Sequence, residues 1–260
     1  MKLGIIGGSG LGKLDELEDI HSETLSTAYG RPSAPLVHGR LEGVEVVFLP
    51  RHGQSHSLPP HLINYRANLA ALKQSEVTHV IGVAAVGGIT QRMAPQKLVV
   101  PDQIIDYTYG RAHTFSGGGD TGVVHVDFSY PYSETLRNLM LAAGLQLGLE
   151  LIDGGCYGCT QGPRLETSAE ILRMERDGCD LVGMTGMPEA VLARELNMDY
   201  ACLAVVVNWA AGKSEGIVSM EEIERQLEDG MLKVRHLLTT LGEMLNRLSE
   251  SLSDFQLPNE

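Results

Sequence analysis

The stretch Leu203–Gly212, with the sequence LAVVVNWAAG, decides the fold. Its first half, Leu203–Val207, is an apolar run rich in β-branched Val and predicts a buried strand. Asn208 follows at the predicted end of that strand, where ligands of open α/β sheets gather. An Asn amide offers a donor beside an acceptor, which suits a ring with an acceptor nitrogen next to a carbonyl. The alternative is that Asn208 only opens a turn, and the other strand ends decide between the two.

Size and charge favour one α/β domain that binds a small molecule. The chain has 260 residues, 43% of them hydrophobic and 30 of them glycine, which allows a sizeable core and many tight turns. The formal net charge of −13 argues against nucleic acid or an acidic membrane as a partner. We expect a single domain over residues 1–260, with a frayed tail from residue 251.

The sequence predicts neither a membrane span nor an export signal, and its cysteines favour a reducing compartment. No apolar run approaches the ~20 residues of a span, and Leu3–Ile6 is too short for a signal-peptide core. Cys156 and Cys159 have a Cys-x-x-Cys spacing that is compatible with redox chemistry or half a zinc site. Cys179 and Cys202 do not form a second such pair. We therefore expect core thiols, no metal and a cytoplasmic protein.

A glycine turn follows the first predicted strand. Leu3–Ile6 is the strand and Gly7–Gly10 the turn, with Ser9 at its centre. A dinucleotide fingerprint needs a third glycine, but Lys13 occupies that position. Backbone N–H groups in such a turn can form an anion-binding nest, to which Ser9 adds a donor. The alternative is an ordinary strand-to-turn connection.

A second strand end carries two polar side chains suited to phosphate. The predicted strand Val46–Leu49 leads through Pro50 into Arg51 and His52. Arg supplies a charged fork and His a further donor, which together suit phosphate. The alternative is a surface Arg and a His that caps a loop.

Further strand ends and one loop offer groups to the same edge of the sheet. Small residues over Ala84–Gly88 follow the predicted strand Thr78–Val83 and let a ligand approach the backbone. Another predicted strand, Asp180–Met184, ends beside Thr185. Glu166 lies on the loop that enters a helix, where its carboxylate can reach a site; the alternative is that it only favours the helix N-terminus.

The remaining segments predict one short strand, several helices and one irregular region. The strand is Leu98–Val100, and the region from Tyr107 to Pro131, with Gly117–Gly119, is expected to be irregular. In the first turn of the last helix, Met220 and Ile223 are candidates to line a pocket. The predicted helices are His61–Gln74, Glu134–Leu147, Ser168–Arg173, one through Leu196, and Met220–Ser249.

Together these motifs resemble one family. Gly7–Gly10, Arg51–Gly53, Asn64–Asn68, Gly162–Glu170 and Met184–Glu189 recur in this order in the trimeric purine nucleoside phosphorylases, within their methylthioadenosine phosphorylase branch. The resemblance covers nearly the whole chain. It implies an α/β fold, a single domain with a central mixed β-sheet flanked by helices, and a homotrimer. It also implies phosphorolysis of a purine nucleoside, with inorganic phosphate as co-substrate and no metal or organic cofactor.

The resemblance assigns one group of residues to phosphate and sugar. Family members often carry Thr at the Ser9 position, which keeps the hydroxyl. They can carry Thr at the Ala84 position, so one side-chain donor to phosphate is missing here. Met184 is expected beneath the sugar. The expected phosphate-binding residues are Ser9, Arg51, His52, Ala84, Ala85 and Thr185.

The base is expected to be a six-oxopurine. Relatives that act on methylthioadenosine carry Asp at the positions of Asn208 and Ala210, which suits an amino-purine. Asn208 can instead donate to a six-oxo group and accept from the neighbouring ring nitrogen as it protonates. Glu166 resembles the Glu of six-oxopurine phosphorylases, which accepts the ring N–H beside the carbonyl. Asn208, Glu166 and His52 are the expected catalytic residues, and hypoxanthine, or guanine, is the expected leaving base.

The five-prime end of the substrate is expected to be apolar. Hydroxyl-binding phosphorylases place a His where this chain offers Met220 and Ile223, so a methylthio group is favoured. Leu165 is a further expected substrate contact. His125 resembles a residue that reaches across from a neighbouring subunit. The expected substrate is S-methyl-5′-thioinosine, and inosine stays open.

Three other classes of protein remain as alternatives. A dinucleotide-dependent oxidoreductase is suggested by the glycine turn, but the glycine spacing is wrong and no clear acidic ribose-binding residue follows. A non-catalytic nucleoside-binding protein is disfavoured because Arg51, His52 and Asn208 occur together. A hydrolytic nucleosidase, in which water replaces phosphate, is distinguished by the phosphate dependence of turnover.

Overall fold

The computed structural model describes residues 1–117, 122–214 and 220–254, which form eleven strands and five α-helices. The strands are β1 Leu3–Gly7, β2 Glu18–Glu23, β3 Leu36–Leu41, β4 Val44–Pro50, β5 His79–Gly88, β6 Leu98–Val100, β7 Gln103–Asp106, β8 Leu151–Asp153, β9 Cys156–Cys159, β10 Leu181–Gly183 and β11 Asp199–Trp209. The helices are α1 Tyr65–Gln74, α2 Glu134–Gln146, α3 Ser168–Arg176, α4 Gly186–Glu195 and α5 Met220–Asp254.

The strands form one mixed sheet that branches at β5. Along one path the order is β2-β3-β4-β1-β5-β10-β9-β7, and β11, β6 and β8 continue from the other edge of β5. The pairs β1–β4, β1–β5 and β5–β11 are parallel, so the carboxyl ends of these four strands lie at one edge of the sheet. The expected α/β fold with a central mixed sheet is confirmed.

Helices cover both faces of this sheet because alternate residues of the central strands are apolar on both sides. Val80, Cys202 and Ala204 pack in the core that includes residues of α1 and α4. Ile81 and Leu203 pack in a second core with residues of α2 and α5. A strand buried on both faces needs a continuous apolar run, which explains the composition of β11. None of the described helices has the length and hydropathy needed to cross a membrane.

The two edges of β5 have different partners, and this difference opens a space in the sheet. β11 pairs along β5 from His79 to Gly88. On the opposite edge, β1 pairs as far as Gly82 and β10 begins only at Gly87. The residues between them, Val83–Val86, have no strand partner on that edge in the described part of the chain. Their backbone is therefore free to face a ligand or another side chain.

Two strands extend further than the sequence predicts. The prediction that Ala84–Gly88 follow a strand is wrong, since these residues continue β5. The predicted turn at Asn208 is also wrong, because β11 continues through Trp209. Its register shifts between Val206 and Asn208, which indicates a bulge. Small residues weaken the local β signal, but pairing between the two strands compensates for their low propensity.

Five strands were not predicted: β2, β3, β7, β8 and β9. β2 is an exposed edge strand, and β7, β8 and β9 have three or four residues each, too few for a period to be recognised. The predicted helices all occur, although α1 begins at Tyr65 after a short 3₁₀ turn over Pro60–Leu62, and α5 continues past Ser249 to Asp254. The irregular region predicted from Tyr107 has no helix or strand over 107–117 and 122–131.

Candidate active site

A cavity of about 610 Å³ opens at the carboxyl ends of the central strands. It lies against the unpaired stretch of β5 and the ends of β10 and β11, with the loops that follow β1 and β4 on its other side. Most of the residues expected in the site line it, namely Ser9, Arg51, His52, Ala84, Ala85, Leu165, Glu166, Met184, Thr185, Asn208, Ala210 and Ile223.

Arg51 is held rigidly at one end of this cavity. Its side chain is 1% exposed. Nε and Nη2 donate to the Glu189 carboxylate over 2.7 Å each, and Nη1 donates to the Val83 carbonyl over 2.7 Å. Burial alone lowers the pKa of Arg51, but the charge and hydrogen bonds of Glu189 outweigh it and raise that pKa. Since a guanidinium has five N–H groups, two remain for an anion in the cavity.

Glu189 is a buried carboxylate that the sequence did not assign to the site. It is fully buried, and Tyr200 Oη donates to its Oε1 over 2.8 Å. A buried ion pair persists when its lone pairs are satisfied, and here Arg51 and Tyr200 satisfy both carboxylate oxygens. The signal was present in the sequence, because Glu189 ends the Met184–Glu189 motif.

His52 is neutral and presents an acceptor. Its Nδ1 lies 2.8 Å from the carbonyl oxygen of Leu58, which can only accept, so Nδ1 carries the proton. Burial, followed by the charge of Arg51, lowers the pKa of His52 to about 4. The free Nε2 of the neutral ring therefore accepts a hydrogen bond, whereas the sequence suggested a donor. A phosphate that retains one O–H can provide that hydrogen.

Ser9 and His56 complete the same end of the cavity. Ser9 Oγ lies 3.5 Å from His56 Nε2, and the ring centroids of His52 and His56 are 4.5 Å apart. Thr185 is buried in the cavity wall, at the N-cap of α4. This end thus combines the Arg51 guanidinium with two hydroxyls and two imidazoles. His56 was not among the predicted residues, although it follows His52 closely in the sequence.

Asn208 has a fixed orientation at the opposite end. Its Nδ2 donates to the backbone carbonyl of Trp209 over 2.7 Å. Because a carbonyl can only accept, this contact identifies which amide atom is the nitrogen. One N–H and Oδ1 remain for a ligand. The bulge that precedes Asn208 sets the direction of its side chain.

Glu166 is also held by a neighbour. Thr160 Oγ1 donates to Glu166 Oε1 over 2.7 Å, so Oε2 is left for a ligand. The loop that carries Glu166 is fixed by Arg164, whose guanidinium donates to both oxygens of Glu170 over 2.7 and 2.8 Å. Glu170 forms a capping box with Thr167 at the start of α3. The hydrogen bond from Arg164 lowers the pKa of Glu170 to about 2.

Apolar side chains form a further wall of the cavity. Met184 and Ile223 line this wall together with Leu227, which was not predicted. Ala210 is buried, with its N–H bonded to Gly88 over 2.9 Å. Leu165 is partly exposed at the edge of the cavity.

Two predicted site residues are not placed in this cavity. His125 is exposed and lies outside the residues that line it. The side chain of Met220, at the start of α5, lies outside the described part of the structure, as do Gly118 and Gly119.

The described residues contain no group of three His, Cys, Asp or Glu side chains arranged to hold a metal ion. Cys156, Cys159, Cys179 and Cys202 are free thiols.

Comparison with known proteins identifies the family. Residues 2–242 match the Phosphorylase superfamily. The chain belongs to this superfamily. The resemblance to nucleoside phosphorylases inferred from the motifs is therefore confirmed, and the oxidoreductase suggested by the glycine turn is set aside.

Individual relatives within the superfamily agree. The chain is 55% identical over 242 residues to a probable S-methyl-5′-thioinosine phosphorylase of Pseudomonas syringae pv. tomato, covering 93% of this chain and 97% of the relative. It is 43% identical over 238 residues to a probable 6-oxopurine nucleoside phosphorylase of Moorella thermoacetica, covering 92% and 91%. Methylthioadenosine phosphorylase from Schistosoma mansoni, solved in complex with adenine, superposes with a TM-score of 0.90 at 31% identity, covering 95% of this chain and 92% of that one.

Proposed function

We propose that this superfamily member cleaves S-methyl-5′-thioinosine with inorganic phosphate, releasing hypoxanthine and 5-methylthioribose 1-phosphate. The observation that carries the proposal is the pairing, in one cavity, of an anion-binding end at Arg51 with a purine-binding end at Asn208 and Glu166. The names of the most similar relatives point to the same reaction.

The hydrogen-bonding groups of the base end match a six-oxopurine. Such a base has an N–H at N1, which donates to Glu166, and an oxygen at C6, which accepts the free N–H of Asn208. As the base departs, N7 takes a proton from solvent water, balanced by the O–H proton that phosphate releases on becoming the sugar phosphate, and donates to Asn208 Oδ1. A six-aminopurine instead has an acceptor at N1, so two acceptors would face each other at Glu166. A substrate that leaves such buried groups unpaired is bound much more weakly, so the site discriminates strongly against it.

At the other end, phosphate binds as the nucleophile. The two free N–H groups of Arg51, the hydroxyls of Ser9 and Thr185 and the Ala84–Ala85 backbone donate to its oxygens. His52 Nε2 accepts its remaining O–H, which leaves the attacking oxygen with its electron pairs directed at the sugar. Since Arg51 is fixed by Glu189 and Val83, little reorganisation is needed when the anion arrives.

The reaction proceeds by displacement without a covalent enzyme intermediate. A bond forms between a phosphate oxygen and C1′ while the C1′–N9 bond breaks, and the electron pair enters the base. The sugar passes through an oxocarbenium-like transition state above Met184. Donors aimed at the departing base are each typically worth ~3 kcal/mol of the barrier. Arg51 offers its charge to the phosphate, and Asn208 and Glu166 offer partners to the departing base, so we propose that the reaction uses no metal or organic cofactor.

The apolar wall favours a methylthio group at the five-prime position. Ile223 and Leu227 line this part of the cavity, and neither offers a partner to a hydroxyl. Inosine or guanosine would leave that hydroxyl unpaired, which is why they are the second candidates, together with methylthioadenosine.

We also propose a homotrimer in the cytoplasm, with His125 completing the site of a neighbouring subunit. Beside the exposed His125, Val123 and Val124 are 68% and 63% exposed. Adjacent apolar side chains of this size on the surface favour association. The free thiols support a reducing compartment.

Release of free base from S-methyl-5′-thioinosine, inosine and methylthioadenosine, each with and without phosphate, tests the proposed function. We expect phosphate-dependent release that is fastest from S-methyl-5′-thioinosine. Faster turnover of methylthioadenosine would refute the assignment of Asn208 and Glu166. Equal rates without phosphate would identify a hydrolase.

A further inference from the structure

Arg111 joins the two segments that carry the base-binding and sugar-binding residues, although it does not line the cavity. It lies in the irregular region after β7 and is 8% exposed. Nη2 donates to the carbonyls of Thr160 and Gln161 over 3.2 and 2.8 Å. Nη1 donates to the carbonyls of Met184 and Met187 over 2.9 and 2.6 Å. One guanidinium thus holds two backbone segments that are distant in sequence.

Both segments continue directly into the site. Thr160 donates to Glu166, so the position of its backbone determines where that carboxylate lies. Met184 lines the cavity, and Thr185 lies between the two carbonyls that Nη1 contacts. Movement of Arg111 would therefore change the separation between the base-binding carboxylate and the sugar-binding segment.

The hydrogen-bond acceptors of Arg111 are neutral groups, mostly backbone carbonyls of two separate segments. In the described residues its acceptors are four backbone carbonyls, the side-chain oxygen of Gln161 at 3.1 Å and Tyr65 Oη at 3.3 Å. Its Cζ also lies 5.4 Å from the centroid of the Tyr65 ring. None of these acceptors is a carboxylate. A planar fork reaches acceptors on two sides at once, whereas a Lys ammonium concentrates its donors on one atom.

We infer that Arg111 is a positioning residue that fixes the distance between Glu166 and the Met184–Thr185 segment, and thereby sets both turnover and the preference for a six-oxo base. This inference rests on the proposed function. Its structural basis is the set of contacts to Thr160, Gln161, Met184 and Met187.

The test compares Arg111→Lys with Arg137→Lys. Arg137 is an equally buried arginine on α2 that bonds Pro101, Glu134 and Asp153 and does not line the cavity. For each protein kcat/KM is measured with S-methyl-5′-thioinosine and with methylthioadenosine, alongside thermal unfolding.

For Arg111→Lys we expect kcat/KM with S-methyl-5′-thioinosine to fall by about 10²-fold, because small displacements in a site have effects of that size. We also expect the preference for S-methyl-5′-thioinosine over methylthioadenosine to fall by about tenfold, since Glu166 loses its placement. Arg137→Lys should lower the melting temperature but change neither kcat/KM with S-methyl-5′-thioinosine nor the preference over methylthioadenosine. A purely structural role for Arg111 would lower stability and leave the substrate preference intact.

An Arg111→Lys protein that folds and keeps the wild-type preference and turnover overturns the inference. If that variant does not fold, Gln161→Met decides, because it keeps the Arg111 side chain but removes the acceptor of its Nε and so lets the guanidinium shift. We expect it to lower the same preference, and an unchanged preference overturns the inference. The wild type is measured in the same series: no phosphate-dependent turnover would refute the proposed function and the inference with it, whereas an active wild type with unchanged variants refutes the inference alone.

Discussion

At the scale of the residue, the backbone carbonyl of Trp209 determines what Asn208 can bind. It accepts a hydrogen bond from one of the two amide N–H groups over 2.7 Å, so the other N–H and Oδ1 are left for the proposed contacts with the base. An Asp at the same position would have two acceptors and no donor at neutral pH. It would also face the Trp209 carbonyl without a hydrogen.

Asn208→Asp should therefore shift the preference for the base towards an aminopurine. We expect kcat/KM with S-methyl-5′-thioinosine to fall by about 10²-fold or more, because the six-oxo group loses its donor and meets an anion. Activity with methylthioadenosine should fall less, since its exocyclic amine can donate to Asp. Asn197→Asp is the matched control, an exposed position with φ of 52° that Asp also tolerates. An unchanged substrate preference in Asn208→Asp would contradict the assignment.

The neutral state of His52 makes stability depend on pH. Its folded-state pKa of about 4 lies below the ordinary 6.5, so the unfolded chain binds the proton more readily. The stabilisation is complete above pH 6.5 and is lost as the pH falls towards 4. A shift of this size corresponds to roughly 3 kcal/mol.

His52→Asn cannot take up this proton, so its free energy of unfolding should vary less with pH between 6.5 and 4. Urea unfolding between pH 7.5 and 4.5 measures the effect. His38 and His79 also have lowered pKa values and are present in both proteins. The quantity to compare is therefore the difference in free energy of unfolding between wild type and variant at each pH. A difference that stays constant with pH would show that His52 does not titrate as described.

At the scale of the element, β5 creates the site by changing partners along one edge. Its unpaired stretch exposes the Val83 carbonyl to Arg51 and the Ala84–Ala85 backbone to the cavity. The position just before this stretch is Gly82. A Cβ there would lie 2.2 Å from Tyr200 Oη and 2.7 Å from Glu189 Oε1, so only glycine leaves room for the buried network.

Gly82→Ala should displace Tyr200 and Glu189 and so weaken the hold on Arg51. We expect a loss of about 3–5 kcal/mol in the free energy of unfolding, the usual result of disrupting a buried ion pair, and a raised KM for phosphate. Gly12→Ala is the control, because an added Cβ there meets nothing within 4 Å. Equal stability of the two variants in urea would show that the network tolerates displacement.

Two strands are predictable from their composition, and the last part of β5 is not. Leu203–Val207 and Leu98–Val100 are apolar and β-branched, and both are strands. Ala84–Gly88 has no such signal and becomes a strand because β11 pairs along it and β10 pairs with its last two residues. Most of the site residues predicted from motifs at strand ends and from the resemblance line the cavity. The motif that ends at Glu189 is visible in the sequence, but the role of Glu189 is not, because its partner Arg51 is 138 positions away and only the folded sheet brings them together.

At the scale of the whole molecule, the proposed trimer would add a residue of a neighbouring chain to a cavity that one chain lines by itself. His125 is exposed and outside the cavity, and Val123 and Val124 beside it are exposed as well. Burying these side chains between subunits would place His125 near another chain's site and remove apolar surface from water.

Light scattering should accordingly give three times the chain mass. His125→Ala should raise the KM for the nucleoside and leave the KM for phosphate unchanged. Mixed trimers of His125→Ala with Arg51→Met should recover activity, because some sites combine an intact Arg51 with an intact His125. A fully active monomer, or a His125→Ala protein with wild-type constants, would contradict the shared site.

Isotope labelling shows whether phosphate itself attacks the sugar. The enzyme is incubated with S-methyl-5′-thioinosine and phosphate labelled with ¹⁸O at every oxygen, and the sugar product is analysed by mass spectrometry. We expect 5-methylthioribose 1-phosphate that retains all the label, since the C1′–O bond forms from a phosphate oxygen. Free 5-methylthioribose carrying oxygen from water, with the phosphate unconsumed, would contradict it.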